Sequence, residues 1–358
     1  MTQTSTADPT GPNRTGIAIL GCGYWGVNYV RAFQELIDAQ MIVVCDERPD
    51  QLAAVQARFP HVAVTTDADE AMAMPGVEAV VIATPATTHD DLATRALLAG
   101  LHVLVEKPLT ADADSAAGLV ALAETLDRVL LVGHTFLYNP AIRTVKEYID
   151  RDAVYYLYAQ RTSLGPIRSD VNAVWDLAPH DVSIFNFLLD DEPEWVSAIG
   201  VRVLRNCRED VGFITLGYRD GVVGHIHVSW ADPNKVRQVV VVTSERRVLF
   251  NDLDPLERVR VFDKGVKLAP ADGSIGFGEH QLLLRDGDII SPSIPVLEPL
   301  RHQCGHFLHC IRRGDKPFTT ASDGLAVVRV MEAIDRSIAQ GGARTAVEPE
   351  PERVAVPT

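Results

Sequence analysis

Three small sets of residues have the types and the spacing to do chemistry. The first lies in VLVEKPL, 103–109, where Val103, Leu104 and Val105 read as a buried strand that stops at Glu106, Lys107 and Pro108. An unpartnered lysine is costly inside a core, so a lysine held at a strand end by a proline is a candidate for a cleft. There it can hydrogen-bond a reacting oxygen and stabilise developing negative charge. A lysine snorkelling beside a turn is the plain structural alternative. The second set is Asp176 and His180 in WDLAPHDVSIF, 175–185. Four apart on a helix, they share one side. Histidine titrates near neutral pH, which suits proton transfer to or from a hydroxyl. The pattern predicts that they open a helix running from about 179 to 189, with Pro179 in its first turn. An aspartate cap followed by a structural histidine would have the same spacing.

The third set is glycine. GIAILGCGYWG, 16–26, reads as a strand, then Gly21-x-Gly23-x-x-Gly26, then a helix start. Gly21 permits the sharp turn, Gly23 lets backbone approach a pyrophosphate, and Gly26 lets helix and strand pack closely. The helix N-terminus offers N–H groups and partial positive charge to phosphates. Tyr24 and Trp25 stand inside this motif and count with the cofactor-binding residues. Asp46 ends the second strand, 20 residues after Gly26, where a carboxylate accepts from ribose hydroxyls. It favours NAD, because it repels a 2′-phosphate. Arg48 could pair with such a phosphate, so NADP stays possible.

The elements that must position these residues are legible. Apolar runs at 16–21, 41–46, 62–66, 78–84, 102–107 and 129–134 alternate with helical patterns such as Tyr24 to Ile37, His89 to Ala99 and Asp112 to Leu126. Near-continuous Val/Ile/Leu strands between helices predict a parallel sheet covered on both faces. In such sheets ligands bind outside the carboxyl ends of the strands. Lys107, Thr84-Pro85 and His134 all fall at such ends. After about 136 the texture changes to a helix near 140–150, long antiparallel strands over 195–262, and helices near 298–313 and 321–340. FITLGYRDGVVGHIHVSW reads as a hairpin turning at Asp220-Gly221. The expected fold class is α/β, a Rossmann domain plus an α+β domain with a large, mostly antiparallel sheet. The expected division is a loose tail 1–14, a dinucleotide-binding domain 15–136, an α+β substrate and oligomerisation domain 137–342, and a loose tail 343–358.

Composition excludes other classes. A chain of 358 residues with 47% apolar content builds ample core. Its net charge of −15 argues against nucleic acid and anionic membranes as partners. No apolar run has the length of a membrane span, and the N-terminus reads as neither signal peptide nor anchor. Cys22, Cys45, Cys207, Cys304 and Cys310, odd in number and without CxxC, read as reduced thiols of a cytoplasmic protein.

Together GCGYWGVNYVRAF, VEKPL and WDLAPHDVSI resemble the glucose–fructose oxidoreductase, inositol dehydrogenase and rhizopine-catabolism (Gfo/Idh/MocA) family over about 15–340. The resemblance implies a Rossmann domain followed by an open-faced α+β domain, and oxidation or reduction of a secondary alcohol on a sugar, sugar nucleotide or cyclitol. The motif lysine falls on Lys107, the motif histidine on His180 and the sugar-contacting aspartate on Asp176. Thr84, Pro85 and His89 match the segment lining the nicotinamide, and Glu106 belongs to the same cleft. The implied mechanism is direct hydride transfer. His180 exchanges the hydroxyl proton and Lys107 holds the same oxygen, with an exchange of roles left open.

GYWG with Asn28 and Arg31 resembles the branch acting on sugar nucleotides and antibiotic sugars. The expected reaction is therefore at a ring secondary alcohol, C3, of a nucleotide sugar or amino sugar. The alternatives are a cyclitol or free-sugar dehydrogenase, and a non-catalytic NAD-binding sensor or partner subunit. The stretch RTSLGPIRSDVNAVWD, 161–176, reads as a loop across the cleft mouth, with Arg161, Arg168 and Asn172 able to hold a carboxylate, phosphate or hydroxyls. Tyr138 and Asn139 lie near the cleft by family position. His302, His306 and His309 share a helical stripe, but the apolar residues between them read as packing and no metal is expected. VVVV, 239–242, and the preceding hairpin, with His225 and His227 on one face, leave a broad apolar face that predicts a partner, and the resemblance implies that such sheets pair into a homodimer or homotetramer.

Overall fold

The computed structural model describes residues 14–168, 170–204, 208–268 and 282–348. The expected tails fall largely outside these residues, as does Cys207. The described residues divide into two compact units, one drawn from 14–110, 117–133 and 300–321, the other from 111–116, 134–299 and 322–348.

The first unit is a six-stranded parallel sheet. Its strands are β1 (Thr15–Leu20), β2 (Ala39–Cys45), β3 (Ala63–Thr65), β4 (Ala79–Ile82), β5 (His102–Glu106) and β6 (Leu130–Gly133). The order is β3-β2-β1-β4-β5-β6, so the chain reverses direction across the sheet between β1 and β4. That is where a dinucleotide crevice opens in such folds. The crossovers are α1 (Tyr24–Gln34), α2 (Pro49–Arg58), α3 (Ala68–Ala73), α4 (His89–Leu98) and α5 (Ala113–Thr125). β1, β4 and β6 are buried along their whole length and almost wholly apolar, as strands covered on both faces should be, while the edge strand β3 is partly exposed. One core cluster packs Ile17, Ile19, Tyr29 and Phe33 with Leu104 and Leu131.

The second unit holds α6 (Pro140–Glu147), β7 (Val154–Leu164), α7 (Ala173–Leu189), β8 (Trp195–Val201), β9 (Val211–Gly217), β10 (Val223–Ser229), β11 (Ala231–Thr243), β12 (Arg247–Asn251), β13 (Val259–Phe262), the short pair β14 (Gly265–Leu268) and β15 (Leu282–Arg285), and β16 (Ile289–Ile290). Helix α8 (Pro299–Arg313) leads to α9 (Ala321–Ala339) and β17 (Thr345–Ala346). The large sheet has nine strands, ordered β16-β13-β12-β11-β7-β10-β9-β8-β17. Only the central β7 and β10 run parallel; the other neighbours are antiparallel. The β9–β10 hairpin turns where expected, with Asp220 and Gly221 both at positive φ.

Three expectations are corrected. Residues 300–321, expected in the second domain, cluster with the first unit. Leu300, Cys304, Phe307 and Leu308 enter its core cluster, and Thr319 bonds Val132 through both backbone and hydroxyl. The tail expected from 343 begins with ordered strand. Thr345 and Ala346 pair with β8, and the Arg344 guanidinium lies 4.1 Å over the Trp195 ring. Helix α7 begins at Ala173, earlier than expected, so Pro179 is inside it rather than in its first turn. The Asn172 side chain accepts from the Trp175 N–H at 2.8 Å and starts the helix there.

Candidate functional site

In the first unit the glycine motif joins β1 to α1. Gly21 has φ +87° and donates to the Cys45 carbonyl at 2.7 Å. A Cβ on Gly26 would lie 1.9 Å from the Gly21 carbonyl oxygen. A Cβ on Gly23 would meet only the Arg48 guanidinium at 3.9 Å, so the backbone there has room in front of it. No side chain caps α1, and its first turn carries no acidic residue to repel a phosphate. Its first-turn N–H groups therefore suit an anion. Tyr24 is 81% exposed beside the partly exposed Trp25, ring centroids 5.5 Å apart. These features fit a dinucleotide.

Asp46, at the end of β2, is buried. Its carboxylate accepts from the Cys22 N–H at 2.8 Å and from Arg48 at 3.0 Å through N–H and Nε and at 3.1 Å through Nη2. A ribose hydroxyl bonding this carboxylate does so in competition with the exposed guanidinium. Burial by itself would raise the Asp46 pKa, but the bonds from Arg48 and Cys22 outweigh it and hold it at about 2. A depressed folded-state pKa means stability that is complete above about pH 4 and lost as pH falls toward the folded value. Asp46→Asn should therefore shrink the loss of Tm on acidification through that window. An acid limb identical to wild type would contradict this role. Burial and the Asp46 charge push the Cys22 thiol up to about 12, and burial pushes Cys45 to about 11, so neither is a reactive thiolate near neutral pH.

The turn after β4 carries Thr84, Pro85 and His89. The resemblance implies that His89 lines the nicotinamide; its ring is buried, with Nδ1 2.8 Å from the Pro108 carbonyl and Nε2 3.0 Å from the Thr84 carbonyl. Both oxygens only accept, so a neutral ring donates to one of them and an imidazolium to both. His89 thus ties the turn after β4 to the turn after β5, where the Lys107–Pro108 peptide is cis. Glu106 accepts from the Tyr29 hydroxyl at 2.7 Å and from the Lys107 N–H at 3.2 Å. Tyr29 in turn accepts from Gln303 Nε2 at 3.0 Å. Burial first, then the Glu106 charge, push the Tyr29 phenol well above its usual range, which keeps it a donor. Neither Tyr29 nor Gln303 was expected at the site. The available signal was a tyrosine three residues after Gly26, one helical turn on.

In the second unit α7 places Asp176 and His180 one turn apart. Asp176 accepts from Arg168 Nη1 at 3.2 Å and from Trp230 Nε1 at 3.4 Å. Arg168 also holds Asp170 at 2.6 Å. Arg168, expected to hold a ligand group, thus bonds Asp176, and Trp230 is a second partner of Asp176 that the sequence does not reveal. Other expected ligand-binding residues are committed to the fold. Arg161 lies within β7 rather than in a loop, and pairs with Asp181. Asn172 caps α7 and donates to Glu209 at 3.0 Å. Tyr138 is fully buried beneath the Arg143 guanidinium, and Asn139 caps α6. His134, expected at a strand end, is also buried.

The histidine stripe of α8 is likewise committed. His306 accepts from the Phe318 N–H at 2.9 Å and His309 pairs with Asp315 at 2.9 Å. Among the described residues no group of three or more His, Cys, Asp or Glu is arranged to hold a metal. No helix among them is long and apolar enough to cross a membrane.

A six-stranded parallel sheet with this glycine turn, joined to a unit built on a mixed open sheet, defines a two-domain NAD-binding oxidoreductase. Residues 15–134 match the model described as oxidoreductase family, NAD-binding Rossmann fold, and 155–249 match the Gfo/Idh/MocA C-terminal domain. The chain belongs to the Gfo/Idh/MocA family, and its first domain is an NAD-binding Rossmann fold. It is 28% identical over 287 residues to a UDP-N-acetylglucosamine 3-dehydrogenase of Acidithiobacillus ferrooxidans, covering 78% of this chain and 86% of that one. An inositol 2-dehydrogenase of Mycolicibacterium smegmatis is 33% identical over 49% of this chain and 53% of its own. The solved structure of GenD2 from gentamicin A biosynthesis, in complex with NAD, is 26% identical. It superposes with a TM-score of 0.79 over 97% of this chain and 100% of its own.

Proposed function

We propose that this enzyme oxidises or reduces a secondary alcohol, C3, of a nucleotide sugar or amino sugar. The observation that carries the reading is the Asp176–His180 pair on one side of α7, with Asp176 held by Arg168 and Trp230. His180 exchanges the hydroxyl proton, Asp176 receives a neighbouring sugar hydroxyl, and Arg168 supplies charge for an anionic handle. Lys107 holds the reacting oxygen. Bound NAD supplies the hydride acceptor or donor. The breadth of the match to the UDP-N-acetylglucosamine 3-dehydrogenase supports the nucleotide sugar. The inositol 2-dehydrogenase, more identical over a shorter span, favours a second reading as a cyclitol or free-sugar dehydrogenase. Retention of Lys107, Asp176 and His180 together speaks against a non-catalytic sensor.

The experiment is nicotinamide absorbance during turnover with NAD and UDP-, dTDP- and GDP-sugars, free sugars and inositols in parallel. Reduction of NAD with a nucleotide sugar alone is the expected result. Reduction with inositol or a free sugar alone would transfer the reading to the alternative. NAD should bind more tightly than NADP, because Asp46 keeps its charge at every working pH. Tighter NADPH in a binding titration would reverse that preference.

Assembly through the large sheet belongs to the same proposal. The expected VVVV face is altered: Val239, Val240 and Val241 are buried within the chain, while Tyr155, Tyr156, Tyr158, Phe213 and Ile199 are exposed. His225 and His227 stand on β10, with His227 stacked on Phe213 at 4.6 Å. A face of this kind suits a second copy of the chain, which gives a homodimer or homotetramer in a sedimentation experiment. A monomer at micromolar concentration would refute it.

A further inference from the structure

Next to His180 lies an arrangement that the proposed chemistry does not use. The His180 ring meets Phe136 edge-on, with centroids 5.1 Å apart and planes at 66°. The Arg161 guanidinium lies over Phe136, 4.3 Å from its centre. Asp181, the residue after His180, clamps that guanidinium with two bonds of 2.9 and 2.8 Å. Arg161 is only 5% exposed and Asp181 1%.

A desolvated ion pair is a poor source of stability, since apolar residues of the same volume often do as well or better. Its value here is geometric. A bidentate guanidinium is planar and rigid, and it binds an aromatic face by cation–π attraction. It brings that grip to Phe136 while the pair as a whole carries no net charge. We propose that Arg161, Asp181 and Phe136 form a charge-neutral brace that fixes the orientation of the His180 ring, with Arg161 and Asp181 acting as positioning residues. The proposal rests on reading His180 as the proton-transfer group.

Asp176, one turn before His180, is held by Arg168. β9 and β10 turn glycine backbone toward α7, Gly212 against Val174 and Gly224 against Phe185. On α6, Lys146 engages Asp190 and the carbonyls of Phe187 and Leu188, at the far end of the helix. Removing Arg161 alone strands a carboxylate beside His180 and favours imidazolium. Removing the Asp181 charge alone strands a guanidinium and disfavours it. Removing both restores neutrality but not the grip on Phe136.

The test uses the full-length, NAD-loaded protein with ring-labelled histidine, the His180 signal being identified by its loss in His180→Gln. Nuclear magnetic resonance reads the His180 titration midpoint and its contact with the Phe136 ring. Turnover with UDP-N-acetylglucosamine reads kcat, and a titration reads NAD affinity. Arg161→Met should raise the midpoint and Asp181→Asn lower it, each by about one pH unit. The double variant Arg161→Met/Asp181→Asn should return to within about half a unit, yet lose the ring contact and about ten-fold in kcat with NAD affinity unchanged. A double variant with the ring contact and full kcat retained overturns the brace, as do single variants with unmoved midpoints. The double variant carries the test if a single variant does not fold. A wild type inactive on UDP-N-acetylglucosamine counts against the proposed substrate, and the ring contact and midpoints then decide the brace.

Discussion

His180→Ala and Lys107→Ala are each expected to lose about 10²–10⁴-fold in kcat while binding NAD as tightly as wild type. The two effects have different origins. In the proposed reaction His180 moves a proton, so its loss should be partly rescued by exogenous imidazole and should alter the pH profile of kcat/KM. In the same proposal Lys107 supplies charge to an oxygen, so Lys107→Arg should recover little, because a planar fork does not replace a compact ammonium. Steady-state kinetics of the two single variants and the double variant check this. Groups that act as a unit are non-additive, so the double variant should be about as impaired as the worse single one. A double variant with substantial activity would end the assignment of both residues.

Gly26→Ala is expected to be the most damaging change in the cofactor turn. A Cβ at 1.9 Å from the Gly21 carbonyl oxygen meets backbone, which has no rotamer to escape into. Either the turn opens or α1 shifts from β1. Both remove the close approach that phosphate binding needs. NAD affinity should fall by about 100-fold or more, or stability by about 3 kcal/mol, as for a strained overpacked site. The control is Gly118→Ala on α5, where an added Cβ meets nothing within 4 Å. It should be neutral or stabilise by about 0.5–1 kcal/mol, the usual gain for alanine over glycine in a helix. Calorimetry and an NAD titration on both variants separate the outcomes. Gly26→Ala with wild-type stability and affinity would show that the turn has slack.

The sequence by itself determined what depends on short-range pattern. Unbroken Val/Ile/Leu runs alternating with helical spacing specify a doubly covered parallel sheet, and β1–β6 lie where those runs are. The glycine motif, Lys107 at the end of β5 and the four-residue spacing of Asp176 and His180 were legible because each is defined within one turn or one strand end. The partners of a polar side chain are a different matter. Arg161, Asn172 and His89 look like ligand-binding residues in the sequence, because an arginine, an asparagine and a histidine near a cleft motif have the chemistry for it. The tertiary structure commits them instead to Asp181, to the cap of α7 and to two backbone carbonyls.

The return of 300–321 to the first unit also escaped the sequence. An amphipathic helix shows that it has an apolar face, not which core will receive it. Tyr29, Gln303 and Trp230 were missed for the same reason. Their hydrogen bonds join residues 77, 274 and 54 positions apart. Local periodicity follows from backbone geometry and can be read along the chain. The choice among distant polar partners is made only when burial forces every donor and acceptor to find one.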